Sequence, residues 1–163
     1  MKHPRFVSFE GIEGCGKTTQ IRLLSSYLTD RQIPHRVTRE PGGTAVGESI
    51  RQILLNSETI QLTSEAELLL FYASRSQNIS EKILPALEQG ELVICDRFYD
   101  ASMAYQGFGR GINIEIIEEL TRLVCGEHRP EKTLLFDIDP ELGLRRARIR
   151  NHSAARDEGR FER

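Results

Sequence analysis

The sequence predicts an α/β domain, a parallel sheet flanked by helices. Three observations carry that expectation. Strand-like and helix-like segments alternate along the 163 residues. Two strand segments, Leu92-Val93-Ile94-Cys95-Asp96 and Thr133-Leu134-Leu135-Phe136-Asp137-Ile138, contain unbroken apolar runs, the pattern of parallel strands buried on both faces. Between the first strand and the first helix lies Gly11-Ile12-Glu13-Gly14-Cys15-Gly16-Lys17-Thr18-Thr19, which fits G-x-x-x-x-G-K-S/T, the phosphate-binding P-loop. A chain of this length makes one domain, 1–163, with a core of its own.

The elements follow in order. Arg5 to Glu10 is a short β-rich run. A helix follows from about Gly16 to Asp30, with Ile21, Leu24 and Leu28 on one face. Ile33-Pro34 ends that unit and His35 to Arg39 is a second strand, running into the rigid turn Glu40-Pro41-Gly42-Gly43-Thr44. Val46 to Leu55 reads as a helix. Ser64-x-x-Glu67 is a capping box that opens a helix carrying Phe71, Tyr72 and Arg75, and a second helical piece runs near Ser80 to Glu88 until Gly90 stops it. After the strand Leu92 to Asp96, Asn113 caps a helix with Ile114, Ile117, Leu120 and Val124 inward. After the strand Thr133 to Ile138, Asp139-Pro140 opens an arginine-studded helix to about Arg150, and 151–163 is polar.

In such a sheet ligands collect at the carboxyl ends of the strands. The P-loop, Glu40, Asp96 and the residues after Asp139 all fall there. Gly11, Gly14 and Gly16 allow backbone N–H groups and a helix N-terminus to close on one anion. Lys17 is placed to reach the β- and γ-phosphates, and the Thr18 hydroxyl to face Mg²⁺ with Asp96 opposite as a Walker-B-type carboxylate. Arg39, Arg75, Arg97 and Arg110 each stand at a strand end, on the Phe71 helix or in a glycine loop, which suggests a second phosphate beside the first. A phosphate monoester acceptor is mostly a dianion at neutral pH, so it needs charge neutralisation and in-line positioning rather than a general base. Phe71, four residues from Arg75, offers a face on which a base can stack, although an aromatic residue at helical spacing is more often core. Tyr105 and Gln106 form a polar stretch beside Gly107, Gly109 and Gly111.

Composition narrows the class. Lys and Arg number 22 against 24 Asp and Glu, a net charge of −2, so bulk charge implies no nucleic-acid partner. Seven arginines nevertheless crowd between Arg145 and Arg163. Three cysteines (Cys15, Cys95, Cys125) lack metal-type spacing and four scattered histidines form no ligand set, so a reducing cytoplasmic setting is expected. No leader is expected from an opening that runs straight into the first strand, and no apolar run approaches the roughly 20 residues that span a bilayer.

Taken together, these residues resemble a thymidylate kinase of the bacterial type. The resemblance lies in Phe9-Glu10-Gly11-Ile12-Glu13-Gly14-Cys15-Gly16-Lys17-Thr18-Thr19, Thr38-Arg39-Glu40-Pro41-Gly42-Gly43-Thr44, Leu70-Phe71-Tyr72-Ala73-Ser74-Arg75, Asp96-Arg97-Phe98 and Ala104-Tyr105-Gln106-Gly107, in that order and spacing. It implies a P-loop, nucleoside monophosphate kinase-like fold, transfer of phosphate from ATP to dTMP with Mg²⁺, and a homodimer formed through helices near Val46–Leu55 and Ser64–Ser80. It implies that Gly11 to Thr19 bind ATP and that Arg39, Glu40, Pro41, Phe71, Arg75, Arg97, Ser102, Tyr105 and Gln106 bind the acceptor. Phe71 is expected to stack on thymine, Arg75 and Arg97 to hold its phosphate, Tyr105 to disfavour ribose, and Glu13 to approach the deoxyribose 3′-hydroxyl. Catalysis is assigned to Lys17, Glu13 and Arg97, with Arg156 and Arg160 in a lid at about 145–163 supplying the charge that Gly14 does not.

Three departures accompany it. Ala101 stands where relatives often have serine. Cys15 brings a thiol close to Lys17 and a helix N-terminus, so thiol reagents are expected to inhibit and ATP to protect. The family continues past the lid with another strand and helix, whereas this sequence stops at Phe161-Glu162-Arg163, so a truncated chain is expected. The competing readings are a deoxynucleoside kinase, with Glu40 as base, another nucleoside monophosphate kinase, a P-loop switch, disfavoured because Asn-Lys-x-Asp is absent from the sequence, and a folded fragment without activity.

Overall fold

The computed structural model describes residues 5–55 and 61–154. Four parallel strands form one sheet in the order β2-β3-β1-β4: β1 Phe6–Glu10, β2 His35–Arg39, β3 Leu92–Asp96 and β4 Lys132–Leu135. Helices α1 (Lys17–Asp30), α2 (Ala45–Leu55), α3 (Ser64–Asn78), α4 (Leu84–Glu88), α5 (Tyr99–Ser102), α6 (Ile114–Cys125) and α7 (Pro140–Ala154) fill the crossovers.

The period-2 alternation of the strands sorts the core onto two faces. Phe9 and Ile94 meet Ile21 and Leu28 of α1 on one side. Phe6, Val93 and Cys95 meet Ile79, Ile83, Phe98 and Cys125 on the other. Val93, Ile94 and Cys95 are fully buried, as the apolar run Leu92 to Asp96 predicts for a central strand. Leu68, Tyr72 and Ile117 join α3 to α6.

Three local expectations are corrected. The strand expected to be buried over Thr133 to Ile138 pairs only over Lys132–Leu135, and its residues are exposed, Leu135 at 71%. An apolar run marks a strand but not how many neighbours it has, and among the described residues β4 pairs with β1 alone. The capping box at Ser64 is displaced by one residue. Thr63 is the N-cap, accepting from the Ala66 amide, while the Glu67 carboxylate turns into the protein instead of back to the cap. The piece expected near Ser80 to Glu88 continues α3 without a break, through a π-helical turn at Ile79–Ile83 into α4.

Adjacent parallel strands bring four loops to one edge. The loop after β1 is the P-loop, and the Glu40 amide after β2 donates to Asp96 O at 2.9 Å. The Arg97 amide after β3 donates to Phe9 O at 3.0 Å, and the Phe136 amide after β4 donates to Glu10 O at 2.8 Å.

Candidate active site

The P-loop takes shape from its glycines. Gly16 caps α1 in the left-handed region, φ 96°. A Cβ on Gly14 would lie 2.1 Å from the Gly143 carbonyl, so only glycine lets α7 pack against the loop. Lys17 is buried, 6% exposed, and its Nζ donates to Gly11 O at 2.6 Å and Ile12 O at 2.9 Å, with Cys15 Sγ at 3.4 Å. Burial and then the Arg97 charge hold its ammonium below the ordinary lysine range. Thr18 Oγ1 donates to Asp96 Oδ2 at 3.4 Å, so hydroxyl and carboxylate face each other at the mouth of the loop. Glu13 to Thr19 line a cavity here together with Arg39, Asp96 and Arg146. Gly11 and Ile12 do not line it; their carbonyls hold Lys17.

A second cavity adjoins the first. Pro41, Phe71, Arg75, Tyr105 and Gln106 line it, with Leu55 and Ala101. Glu13, Glu40, Arg51 and Arg97 line both. Arg75 is 1% exposed and embedded in a polar chain that begins on β2. Thr38 Oγ1 bonds Asn78 at 2.6 Å, Asn78 Nδ2 donates to Glu40 Oε1 at 3.3 Å, and Arg75 Nε donates to Glu40 Oε2 at 2.6 Å. Arg75 Nη2 donates to Ser102 Oγ at 3.1 Å, and the guanidinium lies 4.6 Å from the Tyr72 ring centroid. Its Nη1 is buried with no partner among the described residues. Burial pushes the Glu40 carboxyl above the ordinary carboxylate range, against the pull of Arg75.

Arg97 sits at φ 68°, a left-handed turn held by two backbone amides: its own donates to Phe9 O, and that of Phe98 donates to the Glu10 side-chain Oε1 at 2.6 Å. Its Nη1 donates to the Tyr105 hydroxyl at 3.2 Å. Burial pushes the Glu10 carboxyl up to about 7. A cation that touches both cavities and an anchored neighbour with a spare N–H are suited to two phosphates held end to end.

The thymidylate kinase family model matches residues 9–163. The chain belongs to the thymidylate kinase family. Thymidylate kinases of Geobacter sp. strain M21 and Citrifermentans bemidjiense are each 52% identical to it over 160 residues, covering 97% of this chain and 71% of theirs. That of Maridesulfovibrio salexigens is 45% identical over 159 residues, 96% of this chain and 73% of its own. The crystal structure of thymidylate kinase from Ehrlichia chaffeensis matches with a TM-score of 0.74 at 40% identity, over 92% of this chain and 85% of that one.

Against this family background, most of the expected residues converge and a few do not. Arg39 lines the P-loop cavity rather than the acceptor one and pairs with Glu48 at 2.9 Å. Ser102 lines neither cavity; it stands behind Arg75. Arg110 also lines neither, its guanidinium held by Glu67 at 3.2 Å. Arg156 and Arg160 lie outside the described residues. Sequence reasoning missed Arg51, Arg146 and Glu10. Arg51 looks like an ordinary surface arginine in the sequence; in the fold its Nη1 donates to Pro41 O at 3.0 Å and it lies at the junction of the cavities. Arg146 had a signal in the arginine-rich run but no feature to single it out. Glu10 stood in the sequence as the last residue of a strand and within the Phe9-to-Thr19 stretch, with nothing there to give it a role.

Proposed function

We propose that this thymidylate kinase family member transfers the γ-phosphate of ATP to dTMP, giving dTDP. The observation that carries the reading is the buried Arg75 guanidinium, whose Nη1 has no partner among the described residues, in a cavity that Arg97 joins to the P-loop. A buried unpartnered N–H costs roughly 1–3 kcal/mol unless a ligand completes it, and a phosphate dianion does so with charge.

ATP occupies the P-loop cavity, its phosphates on the loop amides and Lys17, which exchanges its bonds to the Gly11 and Ile12 carbonyls for phosphate oxygens. The Thr18 hydroxyl and Asp96 carboxylate are hard oxygen donors 3.4 Å apart, a set that suits Mg²⁺ completed by substrate phosphates and water. When bound there, the ion neutralises charge on the β- and γ-phosphates. Phe71 offers the ring on which thymine stacks, Arg75 and Arg97 hold the dTMP phosphate, and Tyr105 closes the sugar side. Glu13, at the junction of the cavities, meets the deoxyribose 3′-hydroxyl. Glu40 is unsuited to act as the base a deoxynucleoside kinase needs, because it is buried and its carboxylate is engaged by Arg75 and Asn78. Its role is to aim Arg75.

Further parts of the reading are the single domain 1–163, a lid at about 145–163 from which Arg156 and Arg160 close on the transferring phosphoryl group, and a cytoplasmic location. No described helix is long and apolar enough to cross a membrane. A homodimer through α2 and α3 is supported by exposed apolar residues on both, Val46 at 48% and Leu69 at 56%. ADP release from ATP and Mg²⁺, with dTMP, dUMP, UMP, CMP, AMP and thymidine offered in turn, tests the reaction. Turnover highest with dTMP is expected; turnover with thymidine and none with dTMP would overturn it.

A further inference from the structure

Glu67, Phe71 and Arg75 stand four residues apart on α3 and share one face of the helix. Phe71 and Arg75 line the acceptor cavity, and Glu67 lies one turn further back, 1% exposed. Its carboxylate is occupied from two sides. Arg110 donates from Nη2 to Oε2 at 3.2 Å and from Nε to Oε1 at 3.4 Å. Gln106, itself 1% exposed and part of the cavity wall, donates from Nε2 to Oε1 at 3.0 Å.

The two ends of a primary amide have the same shape and opposite hydrogen-bonding character, so its neighbours decide which end meets a ligand. A carboxylate paired with arginine only accepts. It therefore takes the NH₂ end of Gln106. With Nε2 given to Glu67, Oε1 is the end of the Gln106 amide left to accept from a ligand in the cavity that Gln106 lines.

We propose that Glu67 is a positioning residue that sets base selection: it holds Gln106 with its oxygen towards the ligand, so the site takes a pyrimidine that carries an N–H donor at ring position 3 and rejects one that carries a lone pair there. Thymine and uracil have that donor; cytosine does not. Two acceptors facing each other in a buried site leave both unsatisfied, which is the kind of mismatch that discriminates strongly. The inference rests on the nucleoside monophosphate reading of this cavity.

Glu67→Gln tests it. Glutamine has nearly the same shape and can either donate or accept, so Gln106 becomes free to turn. The measurement is kcat/KM for dTMP, dUMP and dCMP, with urea unfolding to confirm a folded variant. The dTMP to dCMP ratio should fall at least about tenfold, while the dTMP to dUMP ratio stays put because both bases carry the same donor. A merely structural role would lower all three together and leave both ratios unchanged, which overturns the proposal. Gln106→Leu, which removes the amide and keeps its bulk, should collapse the dTMP to dCMP ratio by itself, and Glu67→Gln added to it should change that ratio no further. Should Glu67→Gln fail to fold, an unchanged ratio in Gln106→Leu overturns the proposal alone, as does a parent chain that turns over dCMP as well as dTMP. A parent that turns over no nucleoside monophosphate overturns the functional reading itself.

Discussion

Glu10 closes β1 with its carboxylate 2.6 Å from the Phe98 amide, and so braces the left-handed turn at Arg97. Burial raises its pKa from 4.5 to about 7, opposed by the Phe98 amide and the Arg97 and Lys17 charges and aided by Asp100. The native state therefore binds this proton more tightly than the unfolded chain does. The neutral form's advantage is fully present below the unfolded value and is lost as pH rises through the folded one. Glu10→Gln keeps an oxygen for the Phe98 amide and has no proton to lose. Its stability should improve on the parent's as pH rises from about 4 to about 8, by up to about 3 kcal/mol, read from urea unfolding across that range. A constant difference between the two proteins would contradict the assignment. Lys17, Thr18 and Asp96 were legible in the sequence because a motif names residue types at fixed spacing. Glu10 and Arg51 were not, since each acts through a bond to a residue far away in the chain or across a turn.

At the scale of elements, the P-loop depends on a neighbour as well as on its own glycines. Gly143 of α7 lies against it, where a Cβ would stand 2.7 Å from Ile12 Cδ1 and 2.9 Å from Glu13 O. Gly143→Val should push α7 from the loop, and with it Arg146, which lines the P-loop cavity. The expected outcome is a KM for ATP raised about tenfold or more, equivalent to 1.4 kcal/mol, with the KM for dTMP nearly unchanged. Equal rises in both would show that the damage spreads through the fold. The positions of β2 and β3 were predicted well because β3 is apolar up to Asp96 and β2 is bounded by Pro34 and Pro41. The capping box failed for a tertiary reason: Glu67, which would have folded back on Ser64, is drawn inward by Gln106 and Arg110.

Across the whole molecule, two cavities meet at a wall that includes Arg97, whereas Arg75 serves the acceptor side alone. Arg97→Ala should therefore raise KM for both ATP and dTMP. Arg75→Lys keeps a positive charge for Glu40 but removes the spare N–H, and should raise KM for dTMP about 10- to 100-fold with little effect on ATP. Steady-state kinetics with each substrate varied in turn separates these outcomes, and a dTMP KM unmoved by Arg75→Lys would remove Arg75 from the acceptor site.

The amino-acid order alone settled the alternation of strands and helices, the P-loop and the set of residue types that gather at the strand ends, because periodicity, capping and glycine conformations are local properties. The order of the strands, β2-β3-β1-β4, decided which of those residues meet. It placed β3 beside β1, so that Asp96 faces Thr18 and Arg97 reaches both cavities. The packing of helices and loops pairs Arg39 with Glu48 and Arg110 with Glu67, and neither arginine lines the acceptor cavity. A charged side chain takes the partner that packing brings within a few ångströms, and no spacing along the chain encodes that distance.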